Sequence, residues 1–334
     1  MIYIENNSKD PYYNLALEEY VLSHDKNDDI LLLWQNDKTV VVGRYQNTAQ
    51  ETNERFCRVN DVKIVRRNTG GGAVYHDLGN LNFSIITDYK QGDDISFGRF
   101  LNVIIGALKT LGVDAQLLGR NDLVVEGLKI SGSAQTILKG RILHHGTLLC
   151  NTDLDMLVGT LQNDREQSAA AAAGLYKSKA TASIRSRVAN IKDFNDLVSV
   201  DLLKSRILSE FGKPAPLVKY ELTTAEVDEV HKLRESKYET WEWNYGVSPD
   251  FNFYKETRFP QGSIAASMIV EEGIIRQCAI NGDFLGCMDI ADIEKALVGI
   301  KLMFDDVAAC LARFDTGLYF GGVTAEEVAG SFFG

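Results

Sequence analysis

The chain lacks an excess of basic residues and any long apolar run. Its 334 residues carry 35 Lys and Arg against 46 Asp and Glu, which gives a net charge of −11. Nucleic acids and anionic membranes attract clustered surplus cations, so this balance argues against a general binder of either. No apolar run approaches the roughly 20 residues of a membrane-spanning helix. The first residues also lack the basic start and apolar stretch of a secretory signal.

The chain also lacks a CxxC pair. Its five cysteines are odd in number and widely scattered, which excludes a disulfide framework and a zinc knuckle. We therefore expect the protein to be located in the reducing cytoplasm. A hydrophobic fraction of 45% and a charged fraction of 24% are ordinary for a soluble globular protein. At roughly 150 residues per domain, the length predicts about two domains. The cysteines are Cys57, Cys150, Cys278, Cys287 and Cys310.

The familiar nucleotide and hydrolase motifs are absent as well. Gly212-Lys213 lacks the preceding glycine of a Walker A loop and is followed by Pro214. No GxGxxG opens a helix after a strand, and no GxSxG elbow marks a serine hydrolase. A nucleotide that binds this chain must do so in another architecture.

The order of elements predicts an α+β fold with a mixed or antiparallel sheet, because runs of strands are interrupted by helices without strict alternation. A small second domain follows an aromatic junction at Trp241–Phe251 and holds three strands and two or three helices. Two further expectations are a hairpin formed by Ile30–Gln35 and Thr39–Arg44 and a helix capped by Asn47 that runs through Phe56. The other predicted helices start at Pro11 and cover 95–111, 200–211 and 224–236.

A run of three glycines follows two arginines at the end of a predicted strand, in Arg66–Ala73. Three glycines cost conformational entropy and pack nothing. They fit either a flexible hairpin loop or a concave nest of backbone N–H groups around an anion. The adjoining arginine pair favours the anion.

Lys129 lies in an apolar strand beside small residues, which leave room for its amine. A strand lysine commonly points to solvent, but Asn121-Asp122 and His144-His145 flank this strand pair. Adjacent histidines face opposite sides of a strand and cannot easily share a metal, so we interpret them as structural hydrogen-bonding groups. His76 either lines a pocket or lies in the core with its ring nitrogens hydrogen-bonded.

Arg185 and Arg187 alternate on one face of an extended segment after the small-residue stretch 167–183. They are either solvated or carried by a mobile flap that orders over an anionic ligand. Cys150 lies in an apolar strand and is interpreted as buried, not as a nucleophile.

Three segments together resemble the lipoate–protein ligase A family: RRNTGGGAVYHDLGNLNFS, GRNDLVVEGLKISGSAQ and HHGTLL. Five shorter segments also match the family in order and spacing: NLALEEY, LLLWQN, SIRSRVANI, WEWNYG and NGDFLG. The resemblance therefore covers essentially the whole chain. It implies a class II biotin/lipoyl-ligase-like catalytic domain over 1–246 and an accessory domain over 247–334.

The resemblance also implies the reaction. Lipoate and ATP, with Mg²⁺, give lipoyl-AMP and pyrophosphate, and the lipoyl group then passes to a lysine of an acceptor domain. The implied acceptors belong to 2-oxoacid dehydrogenase complexes or the glycine-cleavage H protein, and we expect a monomer in the cytoplasm.

Site residues are carried over by motif position. Arg67 and Lys129 are expected to be catalytic, with Asp122 orienting Lys129 or a metal. The nucleotide is expected to contact Arg67, Gly70, Gly71, Gly72, Ala73, Val74, Tyr75, Lys129, Ser183 and Arg185. The lipoate is expected to contact Lys129, Leu17, Trp34, Thr69 and His76.

Two alternatives stay open at this point. One is an ATP-independent octanoyl or lipoyl transferase that uses Cys150 as an acyl carrier. The other is a non-catalytic protein that binds lipoyl domains, which the intact Arg67, GGG and Lys129 disfavour.

Overall fold

The structure, a computed structural model, describes residues 1–23, 28–46, 48–161, 187–245, 253–271 and 273–333. Within these ranges the chain forms three sheets covered by helices. Its strands are β1 (Ile2–Glu5), β2 (Ile30–Trp34), β3 (Thr39–Val42), β4 (Lys63–Arg66), β5 (Val74–His76), β6 (Asn80–Asp88), β7 (Gln116–Leu118), β8 (Asp122–Val125), β9 (Leu128–Leu138), β10 (Arg141–Leu149), β11 (Val218–Tyr220), β12 (Phe253–Phe259), β13 (Gly262–Glu271) and β14 (Ile274–Gly282).

The helices of the described part vary from one turn to four. They are α1 (Pro11–Ser23), α2 (Thr48–Glu51), α3 (Glu54–Val59), α4 (Phe97–Thr110), α5 (Leu154–Leu161), α6 (Val200–Phe211), α7 (Thr224–Leu233), α8 (Trp241–Asn244), α9 (Ala291–Leu297), α10 (Phe304–Leu311), α11 (Thr316–Phe320) and α12 (Ala325–Phe333). A 3₁₀ turn at Ile191–Asp193 precedes α6, and a π-helical turn at Arg234–Tyr238 extends α7. None of these helices is long and apolar enough to cross a membrane.

The large sheet has eight strands in the order β11-β1-β2-β6-β10-β9-β8-β7. Strands β11, β1 and β2 are parallel and the remaining pairs are antiparallel, which confirms the predicted mixed α+β sheet. Alternate residues of β2 enter two different cores. Leu31 and Leu33 pack toward α4 and α6, whereas Leu32 and Trp34 pack toward α1 and α7. Both faces of the sheet are therefore covered.

The predicted hairpin between β2 and β3 is wrong. β2 pairs with β1 and β6 in the large sheet, whereas β3 pairs with β4 and β5 in a second sheet. Every residue of both strands is buried, so each needs neighbours on both sides. A short polar link joins two central strands without pairing them.

Two other sequence expectations also change. The helix expected from Asn47 to Phe56 is two short helices, because the Asn53 side chain accepts a hydrogen bond from Phe56 N–H and starts α3 anew. Asn47 itself lies outside the described residues. The C-terminal part holds four described helices, α9 to α12, instead of two or three.

The C-terminal unit, residues 253–333, has its own three-stranded sheet, β12-β13-β14, and an apolar core that also includes Tyr45 from the first part of the chain. Its segment 284–289 contacts the first part of the chain through several polar interactions, three of which are backbone carbonyls that accept hydrogen bonds. Phe284 O accepts from Gly71 N–H at 3.0 Å, Cys287 O accepts from Ile137 N–H at 2.8 Å, and Met288 O accepts from the Tyr45 hydroxyl at 2.7 Å. The unit therefore closes over the glycine loop.

Candidate functional site

A cavity, open at one side, lies between the glycine loop, the start of α1 and strands β9 and β10. The residues that line it are Leu15, Trp34, Val41, Arg67, Gly71, Gly72, Ala73, Val74, His76, Asn82, Asn121, Lys129, Gly132, Ser133, Ala134, His145, Gly146, Thr147 and Leu285. Cationic and apolar side chains therefore share one cavity.

The Lys129 amine lies at the open side of this cavity. Its Nζ is 2.8 Å from Asp122 Oδ1, and the two side chains are 41% and 30% exposed. A Cβ at Gly132 would lie 3.1 Å from Nζ, so the missing side chain leaves the space that the amine occupies. The predicted room beside Lys129 and its pairing with Asp122 are confirmed.

The two arginines before the glycines point in opposite directions, as successive residues of a strand do. Arg67 lines the cavity, whereas the Arg66 guanidinium donates to Gly43 O, Gln46 O and Thr48 Oγ1 on the other side. The expectation that Arg66 adds positive charge to the site is therefore wrong. Its role is to hold the chain between β3 and α2.

Arg67 shapes the glycine loop from inside. It donates from Nη2 to Gly70 O and Gly72 O at 2.6 and 2.9 Å, and from Nη1 to Val41 O at 3.0 Å. Its Nε donates to Thr69 Oγ1 at 2.9 Å. Within the described residues, these bonds occupy four of the five N–H groups of a guanidinium. Burial lowers the pKa of Arg67 to about 10, which leaves it cationic at neutral pH.

Gly70 and Gly71 of the glycine loop approach their surroundings too closely for larger residues, whereas Gly72 has open space around it. Gly71 has φ of +88°, which favours glycine, and a Cβ there would lie 2.8 Å from the Leu285 side chain. Leu285 belongs to the C-terminal unit and contacts the cavity. Since Gly71 N–H already donates to Phe284 O, the C-terminal unit occupies one donor of the expected nest.

The apolar side of the cavity is formed by Leu15, Trp34, Val41 and Val74. His76 joins it, with Nδ1 3.1 Å from Asn36 Nδ2. An amide nitrogen can only donate, so Nδ1 accepts and the hydrogen of the neutral ring is on Nε2. Burial, reinforced by the charge of Arg67, lowers the pKa of His76 to about 3 and keeps it neutral.

Several residues expected at the site are elsewhere. Leu17 is fully buried in the core and Leu15 takes its place at the cavity, since residues two apart on a helix face different sides. The Tyr75 ring packs in the core behind β5, opposite Val74 and His76, and does not line the cavity. Thr69 lies behind the cavity wall at 0% exposure.

The two histidines of β10 differ. His145 hydrogen-bonds to Glu18 and Thr69, as expected for a structural histidine. For His144 the prediction of a hydrogen-bonding role is wrong. Its ring stacks on Phe100 at 4.7 Å, and neither ring nitrogen has a hydrogen-bond partner among the described residues. The ring is held by packing against Phe83, Phe97 and Phe100.

Ser183 and Arg185 lie outside the described residues. The chain that follows them does reach the site, because Arg187 O accepts from Lys129 N–H at 2.8 Å and Lys129 O accepts from Ala189 N–H at 3.0 Å. This pairing fixes residues 187–189 against the strand that carries Lys129. The sequence did not indicate that contact.

Cys150 does not fit an acyl carrier. It is 0% exposed in the core between the large sheet and α4, and burial raises the pKa of its thiol to about 11. A nucleophilic thiol needs access and a depressed pKa. None of the five cysteines, all of which lie in the described part of the chain, forms a disulfide.

Comparisons with known proteins show the family to which the chain belongs. The family model "Lipoyl protein ligase A/B catalytic domain" matches residues 10–212, and "Bacterial lipoate protein ligase C-terminus" matches 248–332. The fold and these two matches thus define a lipoyl protein ligase. The chain is 41% identical to the lipoate-protein ligase LplJ of Bacillus subtilis, over 98% of each chain. It is 40% identical to lipoate–protein ligase 1 of Staphylococcus aureus, over 97% of each.

Solved structures give the same result. The structure resembles P. falciparum LipL1 in complex with lipoate, with a TM-score of 0.79, 26% identity and 94% of each chain covered. It also resembles a lipoate-protein ligase A bound with ATP, with a TM-score of 0.62 and 30% identity over 74% of this chain and 98% of that one. The chain belongs to the lipoate–protein ligase family. It is an ATP-dependent lipoate ligase, and the predicted fold is confirmed.

Proposed function

We propose that the cavity described above is where this chain joins lipoate to ATP and from which it transfers the lipoyl group to an acceptor lysine. The observation that carries the assignment is the meeting of Lys129, Arg67 and the glycine loop with an apolar wall in one cavity. Lipoate has the same division, with an anionic carboxylate and an apolar tail. The carboxylate lies toward Lys129 and the tail toward Leu15 and Trp34.

The first step brings two anions together. A carboxylate oxygen of lipoate attacks the α-phosphorus of ATP, the bond to the bridging oxygen breaks, and pyrophosphate leaves with that electron pair. The cations of Lys129 and Arg67 screen the repulsion between carboxylate and phosphate, so catalysis is positioning plus electrostatic stabilisation. The compact Lys129 ammonium suits a point shared by a carbonyl and a phosphate oxygen.

The glycine loop supplies backbone donors for the phosphates. Arg67 holds the carbonyls of Gly70 and Gly72, and between them Gly71 N–H donates to Phe284 O. A phosphate that takes the Gly71 N–H must displace Phe284 O from it. Adenylation on this loop therefore requires the 284–289 segment to withdraw, and Leu285 leaves the cavity with it.

The residues fit Mg²⁺ only in combination with phosphate. The described residues contain no group of three or more His, Cys, Asp or Glu that could hold a metal, and Asp122 is the carboxylate beside Lys129. Magnesium commonly binds one or two carboxylates together with substrate phosphates, so Asp122 would hold it with the nucleotide. Bound there, the ion would neutralise phosphate charge.

In the second step the neutral amine of the acceptor lysine attacks the carbonyl carbon of lipoyl-AMP. The carbon–oxygen bond to AMP breaks, AMP leaves with the electron pair, and the amine loses a proton as the amide forms. Lys129 lies beside both leaving oxygen and carbonyl and stabilises the developing charge.

The finer assignments rest on the family resemblance. The acceptors would be lipoyl domains of 2-oxoacid dehydrogenase complexes or the glycine-cleavage H protein. A structural relative from Thermoplasma acidophilum, described as a bi-partite ligase with its E2 lipoyl domain, supports this class of partner. The chain would act as a monomer in the cytoplasm, with a catalytic domain over 1–246 and an accessory domain over 247–334.

The test is lipoate-dependent exchange of pyrophosphate into ATP, followed by lipoylation of a purified acceptor domain. We expect exchange with lipoate and none without it, because pyrophosphate returns to ATP only through lipoyl-AMP. An acyl-carrier transferase or a binding protein forms no adenylate and should give no exchange. Cys150→Ser should keep wild-type exchange and transfer. No exchange in the wild type, or loss of transfer in Cys150→Ser, would overturn the proposal.

A further inference from the structure

One buried carboxylate connects the two halves of the cavity wall. Glu18, on α1, is 2% exposed and does not itself line the cavity. Its Oε1 accepts two hydrogen bonds, from Ser84 Oγ at 2.6 Å and from His145 Nδ1 at 2.8 Å. A buried carboxylate is costly unless it is hydrogen-bonded, so this position needs a reason.

The first arm leads to the anion side. Arg67 Nε donates to Thr69 Oγ1 at 2.9 Å, and Thr69 Oγ1 lies 2.8 Å from His145 Nε2. A guanidinium can only donate, so Thr69 Oγ1 accepts from Arg67, and a carboxylate can only accept, so His145 Nδ1 donates to Glu18. Thr69 and His145 thus connect a buried cation to a buried anion through hydrogen bonds.

The second arm leads to the apolar side. Trp34 Nε1 donates to Ser84 Oγ at 2.9 Å, and Ser84 Oγ donates to Glu18. The indole wall of the cavity is therefore held by the same carboxylate oxygen. Ser84 and Thr69 are both 0% exposed and neither lines the cavity.

We propose that Glu18 is a positioning residue that fixes Arg67 for the nucleotide through His145 and Thr69, and fixes Trp34 for the lipoyl tail through Ser84. The inference rests on the proposed function, since it assigns one arm to each substrate of that reaction. Charge supports the geometry, because the carboxylate of Glu18 favours the cationic form of Arg67 against the effect of burial. We call these six residues the Glu18 network: Glu18, Trp34, Arg67, Thr69, Ser84 and His145.

The hydrogen bonds through Thr69 and those through Ser84 can be removed separately by substitution. Thr69→Val keeps the shape of the side chain but removes the hydroxyl, and should raise the KM for ATP about tenfold while the KM for lipoate changes less than about twofold. Ser84→Ala should do the reverse, with about a five- to tenfold rise in the KM for lipoate. A residue that only supports the fold would not split the two constants in this way.

Two further variants identify the group responsible. Thr69→Ser retains a hydroxyl and should restore the wild-type KM for ATP. Glu18→Ala removes the shared acceptor and should raise both constants. Because Glu18→Ala leaves buried donors unpaired and can fail to fold, the decision rests on Thr69→Val, Thr69→Ser and Ser84→Ala.

The matched control is the neighbouring histidine. His144 is buried in the same strand but has no hydrogen bond within the described residues, so His144→Leu should leave both constants unchanged whatever its melting temperature. Equal rises of both constants in Thr69→Val and in Ser84→Ala, or no rise in either, would overturn the proposal. So would Thr69→Ser behaving as Thr69→Val.

Direct binding separates this inference from the proposed function. Calorimetric titration with a non-hydrolysable ATP analogue, and separately with lipoate, should show the same split in Kd without catalysis. Absence of exchange in the wild type would remove the proposed reaction, whereas identical Kd values in Thr69→Val and the wild type would remove the Glu18 network.

Discussion

The two sides of the cavity are built in opposite ways. On one side Arg67, Thr69 and His145 are at most 8% exposed, and each is held by hydrogen bonds to its neighbours. On the other, Lys129 and Asp122 are partly exposed and form a single ion pair. The buried side is fixed before a ligand arrives, whereas the exposed side is free to exchange one partner for another.

This difference has a chemical meaning. A cation that must contact the carboxylate, the adenylate and the departing AMP in turn needs a mobile point charge, which a half-exposed lysine provides. A loop that must present backbone donors needs the opposite, since preorganised donors cost no reorganisation during the reaction. On the exposed side Lys129 thus follows the charge as it moves, whereas on the buried side Arg67 screens charge from a fixed position and holds the loop.

The largest expected effect is on the exposed side. Lys129→Ala should lower the rate of lipoyl-AMP formation about 10²–10³-fold, because the charge that screens carboxylate and phosphate is gone. Its melting temperature should hardly change, since exposed ion pairs contribute little to stability. The measurement is pyrophosphate exchange beside a melting curve. Lys109→Ala, an exposed lysine on α4, is the control. Normal exchange by Lys129→Ala would contradict the assignment.

On the buried side, activity and stability should fall together. Arg67→Lys cannot reach Val41 O, Thr69 Oγ1, Gly70 O and Gly72 O at once, so we expect a loss of about 2–3 kcal/mol in the free energy of unfolding. Exchange should fall roughly tenfold or more as the loop relaxes, given about 1.4 kcal/mol for each factor of ten.

Chemical unfolding and exchange assays measure both quantities. Arg58→Lys, an exposed arginine on α3, should match the wild type in each. If Arg67→Lys lost activity with its stability intact, Arg67 would act on the substrate alone and the comparison between the two sides would be wrong.

The smallest effect is expected at Asp122. Asp122→Asn keeps a hydrogen-bond acceptor for Lys129 but removes a charge, so exchange should fall about five- to tenfold with a change of less than about 1 kcal/mol in stability. If Asp122 also holds Mg²⁺ with the nucleotide, the Mg²⁺ concentration for half-maximal rate should rise. Titration of Mg²⁺ in the exchange assay gives both numbers, and an unchanged curve and rate would leave Asp122 without a role.

The same contrast explains what the sequence could predict. The glycine loop, Lys129 and Asp122 were found because each lies in a short segment whose residue types imply a chemistry. The Glu18 network was missed because its contacts join distant segments: Thr69 and His145 are 76 residues apart, and Glu18 and His145 are 127 apart. NLALEEY carried part of the family resemblance, but no local pattern shows which acid turns inward.

The wrong predictions of which side chains face the cavity have the same origin. Arg66 and Arg67 are adjacent cations, and only the pairing of β4 with β3 decides which one faces the cavity. Leu17 was expected at the site where Leu15 lies, because the rotation of α1 is set by the sheet beneath it. Leu285 could not have been found, since the C-terminal unit reaches the cavity through tertiary packing alone.

The division between the two sides is tested most directly by the single-turnover rate of lipoyl-AMP formation at saturating ATP and lipoate, in Thr69→Val and in Lys129→Ala. The account predicts that Thr69→Val returns to within about threefold of the wild type, because only binding was lost, while Lys129→Ala stays about 10²-fold or more below it. If both variants recover at saturation, or both remain equally slow, the buried and exposed sides do not have separate roles.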